Sequence, residues 1–213
     1  MKHITFYLDF ISPYAYLAFE KLPEVLMGLS YSVSYKPVLL GAILRHHGQL
    51  GPAEIPAKRE WTYRHVQWLG HYYEVPLAMP AVHPFNPLPL LRLAVACARA
   101  GETNRYICEA VFRHVWGGGA DALEPARLQA LSEQLLPQVD PQADAVKAQL
   151  RQLTDGAIAR GVFGVPAFEV DGKLFWGFDA LPMLREYLDG DAWFDGPGWA
   201  DVTRVTQGLA RKS

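Results

Sequence analysis

The chain opens on a short run of β-branched and aromatic residues, Ile4-Thr5-Phe6-Tyr7-Leu8-Asp9-Phe10, and a breaker follows it at once. That pattern reads as a buried strand over residues 4–10. Ser12-Pro13 then supplies a helix N-cap with proline in the first helical position. Tyr16, Leu17, Phe19, Leu22 and Leu26 recur on one face of a helix over 13–28, closed by Gly28. Over 31–38, Val33 and Tyr35 alternate with polar neighbours and Pro37 closes a second strand. Beyond Leu39 the period changes. Helical spacing dominates to about Gly161, predicting helices over 57–73, 88–100, 104–115, 125–136 and 143–160. Pro- and Gly-rich breaks at 48–56, 75–89 and 117–119 separate them. Strand character returns at Ala167–Val170 and 174–176, joined by the hairpin dipeptide Asp171-Gly172, and a last helix runs over 179–188.

The order β-α-β, helical block, β-β-α predicts an α/β protein: a thioredoxin-like fold with a large all-helical insertion. The first two strands, parallel through a helical crossover, belong in one sheet with the late hairpin. Residues 1–38 and 162–190 would form the thioredoxin-like domain and 39–161 the insertion. Residues 191–213 would form a C-terminal tail that packs through Trp193, Phe194 and Trp199.

Composition narrows the function more than the fold. The 213 residues can bury a full core, and with 50% apolar and 20% charged residues the chain has an ordinary globular make-up. A formal charge of −2 offers no general attraction to nucleic acid or anionic lipid, and no basic run is interleaved with aromatics. No apolar stretch approaches the ~18 residues that span a bilayer. The first apolar run is too short for a secretory signal, so the cytoplasm is the expected location. Cys97 and Cys108, the only two cysteines, are read as lying inside one helix. On one continuous helix they would stand ~16 Å apart, whereas a disulfide needs Cα atoms within ~7 Å. Both read as small buried apolar residues. His46, His47, His65, His71 and His114 show neither an i,i+4 helix pair nor Cys/His clustering, so no metal site is expected.

Three local features bear on chemistry, each ordinary in isolation. Asp9-Phe10-Ile11-Ser12-Pro13-Tyr14 delivers a serine from a strand to a helix N-terminus, which by itself describes a plain cap. Gly164-Val165-Pro166 enters a strand, and an isolated Val-Pro is normally trans. Trp176-Gly177-Phe178-Asp179 opens the last helix, where Asp179 could simply cap it. Together with Lys36-Pro37-Val38-Leu39-Leu40-Gly41, Pro56-Ala57-Lys58 and Val111-Phe112-Arg113-His114-Val115-Trp116-Gly117, their order and spacing resemble the kappa-class glutathione transferases. The resemblance is closer still to the bacterial 2-hydroxychromene-2-carboxylate isomerases, on a DsbA-like thioredoxin fold.

The resemblance implies a glutathione cofactor, a small aromatic or conjugated substrate, and a homodimer. It implies that Ser12 hydrogen-bonds the glutathione sulfur and that Val165-Pro166 is a cis-proline turn pairing with the cysteinyl backbone, as an added strand would. Asp179 would meet the γ-glutamyl ammonium, the backbone N–H of Phe178 the γ-glutamyl carboxylate, and Lys58 the glycyl carboxylate. Gln49 stands where many relatives have asparagine, and Phe178 where kappa enzymes often have serine. Asn86 and Trp116 fall where the substrate is expected, although Trp116 reads first as a core residue. On this pattern the thiolate adds to a conjugated double bond, the bond rotates, and elimination regenerates glutathione. A kappa-type transferase that consumes glutathione is the alternative. A non-catalytic thioredoxin-fold binding module is a further one, which Phe178 and Gln49 encourage. Ser12-Pro13-Tyr14-Ala15 in place of CxxC argues against a disulfide oxidoreductase.

Overall fold

The computed structural model describes residues 1–98, 102–206 and 208. Its centre is a four-stranded sheet in the order β2-β1-β3-β4. β1 (Lys2–Leu8) lies parallel to β2 (Tyr31–Pro37) and antiparallel to β3 (Ala167–Val170), which in turn runs antiparallel to β4 (Lys173–Trp176). The thioredoxin-like order anticipated from the sequence is therefore present. β1 sits two residues earlier than the apolar run suggests, because Asp9 and Phe10 leave the ladder to start the turn into α1 (Pro13–Val25).

Alternation along β1 decides what covers each face. Ile4, Phe6 and Leu8 point into the main core, and Tyr7 points the other way into a smaller cluster with Val38, Ile43, Val165 and Ala167. Residues 39–161 supply α2 (Leu40–His46), α3 (Pro56–Tyr72), α4 (Leu88–Ala96), α5 (Arg105–Trp116), α6 (Pro125–Leu135) and α7 (Asp144–Ala159). The short α2 carries no apolar stripe of its own beyond Ile43, which is why periodicity does not reveal it. The 88–100 helix stops as α4 at Ala96, and residues 99–101 lie outside the described set. Cys97 caps α4 while Cys108 lies inside α5, so the two cysteines belong to separate helices rather than to one continuous stretch. Both are buried free thiols.

The last helix, α8 (Leu181–Asp189), begins two residues later than expected, after a 3-10 turn at Phe178–Ala180. Beyond it the tail folds back: Phe194 is buried against Tyr187 and Phe175, and Trp199 tilts over Phe175 at 5.9 Å between ring centroids. Residues 207 and 209–213 lie outside the described set.

One aromatic cluster joins the inserted helices to the strand–helix unit. Phe112 of α5 meets Phe10 at 5.0 Å, Phe19 at 5.2 Å and Tyr16 at 5.9 Å, and is fully buried. Phe112→Ala is expected to cost ~3–5 kcal/mol, through lost transfer energy plus the cavity left behind. Urea unfolding at constant m-value checks this, and a loss below 1 kcal/mol would mean that α5 does not hold the turn before α1.

Candidate active site

Residues 9–12 must pass from a sheet ladder to a helix through the interior, so their backbone groups need partners other than water. Each finds one. The Ser12 N–H donates to the Asp9 carbonyl at 3.1 Å. The Asp9 carboxylate accepts from the Ile11 N–H at 3.2 Å and from the Leu40 N–H at the start of α2 at 2.9 Å. Trp116 donates its indole N–H to the Phe10 carbonyl at 3.0 Å, and His83 Nε2 contacts the Ile11 carbonyl at 2.9 Å. Ser12 then caps α1, its Oγ accepting from the Ala15 N–H at 3.2 Å. Among the described residues its hydroxyl proton has no acceptor, although Ser12 is only 6% exposed. Pro13 has no N–H, and those of Ala15 and Tyr16 go to Ser12, which leaves the Tyr14 N–H as an open donor in this first turn.

Asp9 is fully buried, and burial pushes its carboxyl up from the usual carboxylate range to about 7, against the pull of the backbone N–H donors. Burial likewise raises the phenol of Tyr14, and the nearby Asp179 charge adds to it while a Thr62 hydrogen bond opposes it. The Tyr14 hydroxyl is 2.9 Å from His65 Nδ1.

At the entry to β3, whose Ala167 pairs with Tyr7 of β1, the Val165-Pro166 bond is cis. The Pro166 carbonyl is taken by the Gly177 N–H at 2.9 Å. Neither the N–H nor the carbonyl of Val165 has a partner among the described residues, although the residue is 8% exposed. Gly164 lies close to the Trp176 ring, which would have to move for a Cβ, since that atom would come within 2.6 Å of Trp176 Nε1. Gly177 adopts φ 104°, where a Cβ would stand 2.3 Å from Asp179 Oδ1.

Asp179 follows within the 3-10 turn Phe178–Ala180. The carboxylate is exposed, makes no hydrogen bond or ion pair among the described residues, and caps no helix end, so the capping alternative does not hold. Phe178 is buried, its ring edge-on to Tyr73 at 5.2 Å. Lys58 in the first turn of α3 and Gln49 in the loop after α2 are both exposed. Asn86 is exposed and its Oδ1 accepts from the Leu88 N–H at 3.1 Å, a local tie at the start of α4. Trp116 is 0% exposed, with no surface to offer a substrate; the expected substrate contact gives way to a hold on the Phe10 carbonyl.

Two residues that sequence reasoning passed over are structurally central. Asp9 carries the one legible signal, an acid inside an otherwise apolar strand run. His83 has none, because only the fold brings it to Ile11. Among the described residues no three His, Cys, Asp or Glu side chains are grouped to hold a metal ion.

Comparison with known proteins gives a consistent picture. Residues 3–189 match the family described as DSBA-like thioredoxin domain. A 2-hydroxychromene-2-carboxylate isomerase of Sphingobium xenophagum is 30% identical over 194 residues, covering 88% of this chain and 98% of the relative. Glutathione S-transferase kappa 1 of Rattus norvegicus is 25% identical over 214 residues, covering 91% and 93%. Among solved structures, a 2-hydroxychromene-2-carboxylate isomerase has the same fold with a TM-score of 0.77 at 24% identity, covering 94% of this chain and 98% of that one.

The Asp9 carboxyl generates a pH test. A carboxyl raised in the folded state binds its proton more tightly there than in the unfolded chain, where its value is near ~3.9. Its contribution is fully present below that lower value and is lost as pH rises through about 7. Stability should therefore decline between pH 5 and pH 8, and Asp9→Asn should flatten that decline. At pH 5 the folded Asp9 carboxyl is itself protonated, so the neutral amide should cost only ~1 kcal/mol there. Urea titrations at the two pH values read both effects, and an unchanged slope in the variant would assign the decline to another group.

Proposed function

We propose that this chain, an enzyme belonging to the DSBA-like thioredoxin domain family, is a glutathione-dependent isomerase of the 2-hydroxychromene-2-carboxylate type. What supports the reading is a set of unspent polar groups at the start of α1 and at the entry to β3. They are the free hydroxyl proton of Ser12, the open Tyr14 N–H at the start of α1, and the unpaired Val165 peptide beside Pro166. An extended peptide bearing a thiol fits those groups. Val165 supplies one N–H and one C=O for a strand-like pair, and Ser12 supplies a donor for sulfur. The exposed Asp179 carboxylate and Lys58 ammonium suit an ammonium and a carboxylate at the ends of such a peptide.

When bound, glutathione supplies a sulfur nucleophile that adds to a conjugated double bond of the substrate and leaves again after rotation about the resulting single bond, so that it is regenerated. The residues of this chain hold that sulfur as the anion. A free thiol titrates near ~8.5, and lowering this by two units requires ~2.7 kcal/mol of preferential stabilisation. One charge-assisted hydrogen bond from Ser12 contributes ~1.5–3 kcal/mol, and the positive end of α1 adds ~0.3–1 kcal/mol. The two suffice together. Serine also cannot form a mixed disulfide with the cofactor, as cysteine in its place would.

A kappa-type transferase is the second reading, favoured by the kappa relative matched along 91% of the chain. Following free thiol during turnover separates the two, because an isomerase leaves the thiol concentration unchanged and a transferase depletes it. A chain that does not bind glutathione at all in a calorimetric titration would instead be the non-catalytic module.

Ser12→Ala removes the hydroxyl but leaves the helix terminus, the Val165 peptide and Asp179 in place. The mutant should still bind glutathione, with the bound thiol pKa raised by roughly one to two units. Activity should recover in part as pH is raised, and stability should fall by only ~1 kcal/mol for the lost cap. Ultraviolet thiolate absorbance against pH reads the shift, and an unchanged value would leave Ser12 as a cap and nothing more.

Asp179→Asn should weaken glutathione binding, by up to about fivefold for a surface-exposed charge pair. Its denaturation midpoint should stay unchanged, since the carboxylate makes no hydrogen bond or ion pair among the described residues. Full affinity in the variant would remove Asp179 from the ligand contacts.

A further inference from the structure

We infer that His83, seated by Tyr63 of α3, is a positioning residue for Ser12 that acts through the Ile11–Ser12 peptide. The imidazole lies in the connection between α3 and α4 and bridges two other parts of the chain. Its Nε2 is 2.9 Å from the Ile11 carbonyl and its Nδ1 is 2.7 Å from the Tyr63 hydroxyl. The same hydroxyl donates to His83's own backbone carbonyl at 2.8 Å. The ring packs against Tyr63 at 5.4 Å, Trp116 at 5.5 Å and Phe85 at 6.0 Å. Trp116 in turn holds the carbonyl of Phe10. Two packed rings thus hold two consecutive carbonyls immediately before Ser12.

Counting protons at these contacts shows what the pair can do. A carbonyl oxygen only accepts, so Nε2 must carry a proton to bond Ile11. In neutral His83, Nδ1 is then bare, and the single Tyr63 proton can serve either Nδ1 or the His83 carbonyl but not both. Three contacts of 2.7–2.9 Å share two protons. A second proton on the ring satisfies all three: Nδ1–H donates to the Tyr63 oxygen, Tyr63 O–H to the His83 carbonyl, and Nε2–H to Ile11. No heavy atom has to move.

Burial works against that proton and presses the His83 pKa below the ordinary imidazole value, while the bond to Ile11 opposes the shift. Of the groups facing the pair, α3 contributes Tyr63 itself and the Arg59 charge, while α5 contributes the uncharged Trp116. Among the described residues no carboxylate hydrogen-bonds the ring. An anion held at Ser12 would therefore be the compensating charge that lets the ring take its second proton. By linkage the protonated ring then favours the anion equally. The clamp on Ile11 operates in both protonation states, and the added charge operates only with an anion in place. The second part of this statement rests on the glutathione reading above.

The test has one arm without glutathione and one with it. In the unliganded protein, amide hydrogen exchange read by NMR should show the Ser12 N–H exchanging about tenfold faster in His83→Phe. The Phe168 amide in β3 should be unaffected, and His83→Gln, which keeps a donor for Ile11, should restore most of the Ser12 protection. Unchanged protection at Ser12 in the Phe variant would overturn the clamp, as would equal loss at Ser12 and Phe168. With glutathione bound, His83→Phe should raise the thiol pKa by about one unit, and His83→Gln should not restore it, because glutamine takes no proton. An unchanged thiol pKa in both variants would overturn the charge coupling. A wild-type protein that binds no glutathione would sink the functional reading and the charge coupling with it, while the exchange arm would still decide whether His83 positions Ser12.

Discussion

The turn at residues 9–12 has to leave the sheet and enter a helix in a largely buried part of the protein, where its peptide groups need partners from the chain itself. An unpaired buried peptide group costs ~1–3 kcal/mol, so a turn with four of them open would consume most of a domain's marginal stability. The structure meets this demand with side chains brought from elsewhere: the Asp9 carboxylate, the Trp116 indole and the His83 imidazole. All three are committed to holding backbone. The Ser12 hydroxyl, by contrast, uses its oxygen as a cap and keeps its proton. Beneath a side chain with an uncommitted donor, the three side chains that hold the turn are all committed.

This explains why the inserted helices are inseparable from the turn. Leu40 of α2, His83 before α4 and Trp116 of α5 all belong to the 39–161 segment, and all reach back to residues 9–11. Phe112, one helical turn before Trp116, packs on Phe10, Tyr16 and Phe19. A single core consequently runs from the sheet into the inserted helices. Loosening α5 would release Phe10 on both sides, at its ring through Phe112 and at its carbonyl through Trp116.

The legible part of the fold is the part governed by local chemistry. Ser12-Pro13 announces the start of α1, Asp171-Gly172 the hairpin, and the apolar stripes most of the longer helices, because caps, turns and amphipathic faces are written in neighbouring residues. α2 escapes because seven residues with one buried side chain carry no period. The strand β1 ends two residues early because the buried Asp9 serves the turn with its side chain, which a hydrophobicity pattern cannot express. At the site, Ser12 caps α1 and Val165-Pro166 forms a cis turn at the entry to β3. Trp116 is drawn into the core and Asn86 is spent on the local start of α4. His83 is invisible from sequence since its partners are 72 and 20 residues away. Its role exists only once the chain has folded.

On the proposed reading, the grip on glutathione is made largely by backbone, and this bears on the departures at Gln49 and Phe178. A peptide docked along Val165 pairs with an N–H and a C=O that every residue but proline carries. The first turn of α1 offers the Tyr14 N–H regardless of the side chain. Such contacts survive substitution as long as the cis turn and the helix start keep their shapes. Those shapes are set by Pro166, by the close approach of Gly164 to Trp176, and by the positive φ of Gly177. Replacing a serine side chain with Phe178 then removes at most one side-chain donor and leaves the backbone N–H in place, while its ring gains a buried contact with Tyr73. The side chains that cannot be exchanged so freely are those whose function is a proton or a charge: Ser12 at the sulfur, Asp179 at the far end of the peptide, and Asp9 and His83 beneath the turn that carries Ser12.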